Sequence, residues 1–497
     1  MHQTKKKKAA VCCTVLLTGA LCFGCTGSNA ADTISLNDGK ILYNGNAITA
    51  ESSQAVYSSS FIEFHEDVAP EYKDTANTII HITKGGIYQI SGEATDTQIR
   101  VNAPDEEVTL VLSGVNITCN TAPAILIENA ADSQTAGEAG VTIALANDTS
   151  NIITASHVAE YVDDNGVEID YDGAISSKVS LKIEGDGTLK VIGDKEGIES
   201  QLHLTFNGGN IEVSSADDPI NASEDGVSAI TINDGIINCF VSYGEEGDGI
   251  DSNGYIYING GSVLAQSHSD SMDSGLDADL GIVINGGIVC ATGNMYEEIS
   301  EESTQGHAQF YFAEKQKGGV PLVVTDEKGN YVLAYTPVSD YTILEFSLPS
   351  MVDGTTYHLY SGGTISGTIT NGIYTEVESY EGGTQMGHRG LMQGGRRPDF
   401  GGQMPEGFDP SNTELPQNMK PSVNKEQPQR PNDQRPQKEG GKMPQRPEGF
   451  TPGNFSLDNL PEGFGGFGER FDANIPLTAD FVIDSENRVY VGIAVME

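Results

Sequence analysis

Residues 201–293 write one pattern four times: Phe206-Asn207-Gly208-Gly209, Ile232-Asn233-Asp234-Gly235, Ile258-Asn259-Gly260-Gly261 and Ile284-Asn285-Gly286-Gly287. The last glycine of each copy advances by 26 residues at every step. An unvarying period of this size marks stacked units and not one globular core. Before the glycines, Leu204 and Phe206, Ile230 and Ile232, Ile256 and Ile258, Ile282 and Ile284 alternate onto one face, the period-two pattern of a strand. After them the alternation resumes with Ile211 and Val213, Ile237 and Cys239, Val263 and Ala265, Val289 and Ala291. Asn-Gly pairs also suit hairpin turns, but four copies with matching inward residues predict an all-β solenoid of parallel β-helix coils. Coils stack about 4.8 Å apart, so Asn207, Asn233, Asn259 and Asn285 are expected to form a ladder of bonded side-chain amides.

The chain has 497 residues, with 59 Gly, 20 Pro and no Trp, a strand-like composition. A solenoid grows in one dimension, so this length need not divide into several cores. Lysines at 5–8 followed by an apolar run at 9–24 read as a secretory signal, too short to span a bilayer. The protein is therefore expected to be secreted or at the cell surface. Cys25 offers a lipoprotein cysteine and hence a lipid anchor to the membrane; cleavage near Ala30 or Ala31 is the rival. Outside this leader only Cys119, Cys239 and Cys290 remain, which make neither a disulfide framework nor a zinc spacing.

The formal net charge of -44 is carried unevenly, for no Lys or Arg occurs between Lys195 and Lys315. A surface this acidic repels nucleic acid and anionic lipid. No G-x-S-x-G, zinc-type His cluster or phosphate loop is present, so hydrolase and kinase chemistry find no support.

In order, the chain divides into a signal peptide at 1–31, N-terminal cap strands at 32–98, the β-helix at 99–293, and a C-terminal β module at 294–380. A Pro/Gly-rich segment follows at 381–470, with Pro-Glu-Gly-Phe at 405–408, 447–450 and 461–464. Its composition predicts disorder. Residues 471–497 read as one closing hairpin. An acidic insertion interrupts the coils at 163–172.

A second periodic signal lies between the strand pairs: Gly197-Ile198-Glu199-Ser200, Pro219-Ile220-Asn221-Ala222, Gly249-Ile250-Asp251-Ser252 and Gly275-Leu276-Asp277-Ala278. Stacking puts Glu199, Asn221, Asp251 and Asp277 in one column, flanked by Asp248, Asp273 and Asp279 among other acids. Carboxylates about 5 Å apart repel, more so as water is excluded, and no Lys or Arg lies nearby in sequence. Calcium is the cofactor this pattern calls for, because it takes six to eight oxygen ligands in loose geometry from separate loops. A solvated acidic edge is the plainer alternative. On the strand before the glycines, His203, Tyr255 and Tyr257 hold outward positions and are the candidate carbohydrate-binding residues, the two tyrosines as a stacking surface for sugar rings.

These residues resemble the secreted, calcium-containing β-helix proteins of clostridia that look like polysaccharide lyases and bind carbohydrate. The resemblance spans residues 78–362 and rests on Ile82-Thr83-Lys84-Gly85-Gly86-Ile87-Tyr88-Gln89-Ile90-Ser91-Gly92, residues 108–118, Gly249-Ile250-Asp251, Gly275-Leu276-Asp277-Ala278 and Gly354-Thr355-Thr356-Tyr357. It implies a right-handed parallel β-helix that binds cellulose or acidic sugars such as polygalacturonate, with bound Ca²⁺. The expected function is therefore a monomeric, non-catalytic carbohydrate-binding surface protein. The alternative is a calcium-dependent, pectate-type polysaccharide lyase. A lyase needs a base, commonly Arg or Lys, to remove the proton α to the uronate carboxylate. Arg100 is the one Arg before Arg389, which leaves Lys178, Lys182, Lys190 and Lys195 as the basic candidates.

Overall fold

The structure, a computed structural model, describes residues 31–37, 41–48, 60–64, 78–131, 136–162, 168–242, 244, 246–370, 372–391, 475–484 and 488–496. The leader up to residue 30, residues 392–470 of the Pro/Gly-rich segment and residues 471–474 lie outside them. Among the described residues the chain is all-β, built largely of parallel sheets and without a helix.

The 26-residue copies pair in parallel, each with the next: Leu204, Ile230, Ile256 and Ile282 share one register position, and Phe206, Ile232, Ile258 and Ile284 another. These side chains are buried in a continuous core with Ile211, Ile237, Val263 and Val289. The asparagine ladder forms as the repeat implies. Nδ2 of Asn233, Asn259 and Asn285 donates to Oδ1 of the preceding asparagine at 2.9, 2.9 and 3.1 Å. Thr304 ends it by donating its hydroxyl to Asn285 Oδ1 at 3.0 Å. The glycines beside the ladder are required: Gly261 has φ +77°, and a Cβ there would lie 2.6 Å from the carbonyl oxygen of Gly235.

A second parallel sheet runs through Thr78–Ile82, Thr97–Asn102, Ile125–Asn129, Gly173–Ser177, Glu196–Ser200, Ile220–Ala222, Ile250–Ser252 and Leu276–Ala278. Ile198 to Ile220 is 22 residues and Ile220 to Ile250 is 30, yet all three stay in register. The loops at 223–228 and 242–249 each take up half of the difference, because burying the isoleucines outweighs uniform loop length.

Parallel stacking begins earlier than residue 99. Asp32–Leu36 pairs in parallel with residues 88–92, and Thr78–Ile82 with residues 97–101. The reason is that Ile80, Ile82, Tyr88 and Ile90 supply the same inward residues as the later copies and are buried in the same core. At the acidic insertion, Val158–Val162 and Glu168–Tyr171 form an antiparallel hairpin. His157 Nδ1, 3.0 Å from Asp194 Oδ1, and Lys195, bonded to the Asp172 carboxylate, clamp its root.

The C-terminal strands are mostly antiparallel and enclose a core of their own around Phe310, Tyr335, Phe346, Phe481 and Tyr490. Tyr341–Ser347 pairs antiparallel with Ile288–Gly293, which joins these strands to the last 26-residue copy. Two expectations are corrected here. Ordered pairing continues past residue 381, through Thr384–Gly387 and Gly390–Leu391. The terminal segments also do not form a separate hairpin: Phe481–Ile483 pairs with residues 355–357, while Val489–Val495 lies against Gln309 and Phe310 on one side and Gly390 and Leu391 on the other. Burial of Phe481, Tyr490 and Ile493 in the shared core drives these long-range pairings.

Candidate functional site

In the second sheet one register position holds, copy after copy, Ser176, Glu199, Asn221, Asp251 and Asp277. The column is real, but its two ends have different chemistry.

At the far end, Asp248, Asp251 and Asp277 are half-buried and each offers a carboxylate oxygen, all within 4.8 Å of one another. Asp251 and Asp277 come from strands, Asp248 from the loop before the first of them. Neighbouring loops hold the group in place. Asp248 Oδ1 accepts from the Ser274 amide at 2.5 Å and its hydroxyl at 3.0 Å, Asp273 Oδ2 from the Gly247 amide at 2.6 Å, and Asp218 Oδ1 from the Asp248 amide at 2.7 Å. Burial, with Asp248 and Asp277 close by, pushes Asp251 up to about 8. Burial raises Asp248 well above the usual carboxylate range, helped by Asp277 and Asp218, and it raises Asp218 likewise, helped by Asp251 and Asp217. Among the described ion pairs none involves Asp248 or Asp251. Oxygen-only ligands, concentrated negative charge and loop-borne geometry suit a hard divalent cation. Asp279 lies exposed just past the last of these strands, and its charge adds to the repulsion on Asp251.

At the near end the acids are engaged by the protein itself. Glu199 Oε2 accepts from the Ser176 hydroxyl at 2.8 Å and from the amides of Asp172 and Gly173 at 3.3 Å each. Burial still lifts Glu199 to about 7. Asn221 donates Nδ2 to Glu196 Oε1 at 2.7 Å, and burial raises Glu196 well above its usual range, with Glu199 and Asp218 adding to it. Glu199 and Asn221 therefore share the column without joining the three-carboxylate group. A further periodic signal was available in the sequence: Glu196, Asp218, Asp248 and Ser274 each stand two residues before the buried apolar residue of their strand. That position supplies the buried acids that a reading centred on the strand residue treats as mere flanks.

Tyr255 and Tyr257 are half-exposed, with ring centroids 5.4 Å apart and planes 25° from parallel. They stack on each other. Each ring thus spends one face on its neighbour, and the pair forms a ridge, not a coplanar platform. His203 occupies the same register position two copies earlier, but it is only 3% exposed and neither ring nitrogen has a hydrogen-bond partner. It does not reach the surface with the tyrosines. Alternation reports which side of a strand a residue takes, not what packs over that side, and Thr205 beside it is buried too.

The four lysines near the coils are all occupied. Lys182 pairs with Glu184 at 3.2 Å, Lys190 with Glu212 at 2.6 Å and Lys195 with Asp172, while Lys178 Nζ stands 4.8 Å from the ring centroid of Tyr171. Burial lowers Lys195, but its bond to Asp172 outweighs this and leaves it raised, the wrong direction for a proton acceptor near neutral pH.

Parallel sheets that carry an acidic column on one sheet and a half-exposed aromatic pair on another define an all-β, stacked-sheet class of protein. The chain belongs to the family of carbohydrate-binding domain-containing proteins, whose family model matches residues 76–328. Among solved structures it is similar to the polysaccharide lyase-like protein from C. thermocellum, in a gadolinium derivative. The two share 25% sequence identity over 52% of this chain and 93% of that one, with a TM-score of 0.36. No curated protein matches the chain.

Proposed function

We propose that this is a non-catalytic, monomeric carbohydrate-binding protein of the cell surface, exported by its 1–31 leader and either released or anchored through Cys25. In this reading the parallel sheets close into a right-handed parallel β-helix, and calcium occupies the group formed by Asp248, Asp251 and Asp277. The observation that carries it is that three half-buried carboxylates converge within 4.8 Å in a stretch of sequence without Lys or Arg. Such a group is costly unless protonated or neutralised. Bound there, calcium supplies the positive charge that a polygalacturonate carboxylate can meet on an otherwise repelling surface. Neutral cellulose, carrying no charge, is assigned to the outer faces of Tyr255 and Tyr257.

The pectate-type lyase is the weaker reading, since Lys178, Lys182, Lys190 and Lys195 are each committed to a partner. A glycan array read with and without chelator tests the proposal. Binding to polygalacturonate is expected to disappear with chelator, and binding to cellulose to persist. Equal polygalacturonate binding in both conditions would remove the calcium bridge.

A further inference from the structure

We infer that the C-terminal strands carry a second glycan-binding site, a groove between Tyr331–Tyr335 and Ile373–Glu381 that accepts a neutral polysaccharide chain. The inference rests on the carbohydrate-binding reading above but uses none of its residues, and the groove lies beyond the 76–328 family match.

The groove arises from a splay in the sheet. Tyr331–Tyr335 pairs along its length with Leu322–Asp326 on one edge, but on the other it meets Ile373–Glu381 only at Tyr335 and Ile373. Ile373–Glu381 instead turns away to pair along its length with Thr364–Thr370. The opening has a volume of about 370 Å³, with Asn330, Tyr331 and Ala334 on one wall and Tyr374 and Val377 on the other. That lies within the roughly 300–1,000 Å³ typical of small-ligand sites. Strand edges that part in this way leave peptide N–H and C=O groups facing the gap.

Its walls have the chemistry a pyranose needs, an apolar C–H face meeting an aromatic ring with fixed polar groups at the rim. Tyr331 is 44% exposed. Leaving so large a ring in water is unexplained by the fold, whereas Tyr360 and Tyr380 are accounted for by packing. Those two meet edge to face with centroids 6.3 Å apart, and the Tyr380 hydroxyl donates to Gly362 O at 3.0 Å. Together with Tyr374 and Val377 they cover a small core of Val323, Ala334 and Ile365, which stiffens the hairpin wall. Asn330 at the rim is held by the turn, its Nδ2 donating to Asp326 Oδ2 at 2.7 Å and its amide to Oδ1 at 2.8 Å. Tyrosine walls on rigid elements lose little conformational freedom when a ligand lands on them.

Charge selects the occupant. Glu376 and Glu378 lie exposed on one wall strand and Glu327 in the turn beside the other, against a single cation, Lys328. None of these charged residues lines the opening itself, whose walls are uncharged. An acidic chain is repelled here, and an uncharged β-linked glycan is not.

Isothermal titration of the full-length protein with cellohexaose, xylohexaose and oligogalacturonate tests this, using wild type, Tyr331→Ala, Tyr331→Phe, Tyr374→Ala and Tyr255→Ala with Tyr257→Ala. Tyr331→Ala and Tyr374→Ala should each weaken binding of a neutral oligosaccharide about five-fold, the scale of one lost aromatic contact. Tyr331→Phe should retain it, and oligogalacturonate binding in calcium should not change. Because Tyr331 is exposed, its alanine variant should melt with wild type, so the result stands even where Tyr374→Ala unfolds. Wild-type binding of neutral chains that both alanine variants reproduce overturns the groove alone, as does a wild type that binds only the acidic chain. A wild type that binds no glycan overturns the carbohydrate reading itself, and this inference with it.

Discussion

Asp251 and Asp277 occupy one position in consecutive 26-residue copies, and what that identity means depends on what stands next to them. With Asp248 in reach and burial lifting Asp251 to about 8, the metal-free protein holds charge it would rather lose. A ligand that binds only the folded state adds roughly 2.7 kcal/mol when its free concentration is a hundred times its dissociation constant. Melting temperature is therefore expected to rise with calcium and fall with chelator, and the Asp251→Asn, Asp277→Asn double variant to lose most of that response. An unchanged calcium response in the double variant would reduce the group to a solvated acidic edge. A second single residue, Glu345, carries a pH prediction. It is buried and accepts from Gln309 Nε2 at 2.6 Å through Oε1 while Oε2 has no partner. Burial raises it to about 8, against the bond from Gln309 and with Glu297 and Asp277 adding to the rise. A carboxyl raised in the folded state contributes stability that is fully present below about 4.5 and is lost as pH rises through about 8. Glu345→Gln should thus stabilise by on the order of a few kcal/mol at pH 8 and by almost nothing at pH 4. Equal melting temperatures across that range would show that Glu345 is not the group responsible. Asp251 could be picked out from Gly-Ile-Asp-Ser, whereas nothing around Glu345 distinguishes it from an outward strand residue.

At the scale of one element, the turn that carries Asn259, Gly260 and Gly261 is held by bonds along the stack and limited by contact across it. Gly261→Ala meets a carbonyl at 2.6 Å with φ +77°, so a loss of roughly 1–3 kcal/mol is expected in denaturant unfolding. Gly114→Ala is the control, because Gly114 has a similar φ of +80° with nothing within 4 Å of a new Cβ. It should lose only the backbone-strain part. If both cost the same, close stacking of the turns is not what selects glycine. The ladder and its glycines were legible because the repeat is regular. The hairpin at 158–171 was legible only as an interruption, since its pairing and its clamp through Asp172 and Asp194 join residues far apart in sequence.

For the whole molecule, the acidic column and the tyrosine ridge lie on different sheets, so acidic and neutral glycans are expected to bind without competing. Purified protein with polygalacturonate should yield no unsaturated uronide absorbance. Product that appears, and that vanishes with Lys178→Ala or Lys182→Ala, would instead establish the lyase. The terminal strands bear on stability at this scale. Phe481 and Tyr490 sit in the core that also holds Phe310 and Phe346, so truncation before residue 475 should unfold the C-terminal strands well before the 26-residue copies. Coincident unfolding of both parts, followed by near-UV signals from the tyrosines, would show that they share one cooperative unit.

The sequence alone determined that the chain stacks in parallel with a 26-residue step, that Asn207, Asn233, Asn259 and Asn285 form a ladder, and that Glu199, Asn221, Asp251 and Asp277 share a column. All three follow from periodicity, which is a local property repeated. Tertiary structure alone decided which column members meet. Glu199 is taken up by Ser176 and two amides, Asn221 by Glu196, and only Asp251 and Asp277 are left to converge with Asp248. It also decided that His203 is buried, that Tyr255 and Tyr257 stack on each other, and that strands from 481 onward pair with residues 309–312 and 355–357. Period and register follow from the order of residues along the chain. Burial, charge convergence and long-range pairing depend on which distant segments arrive to cover a face, and no local pattern encodes that.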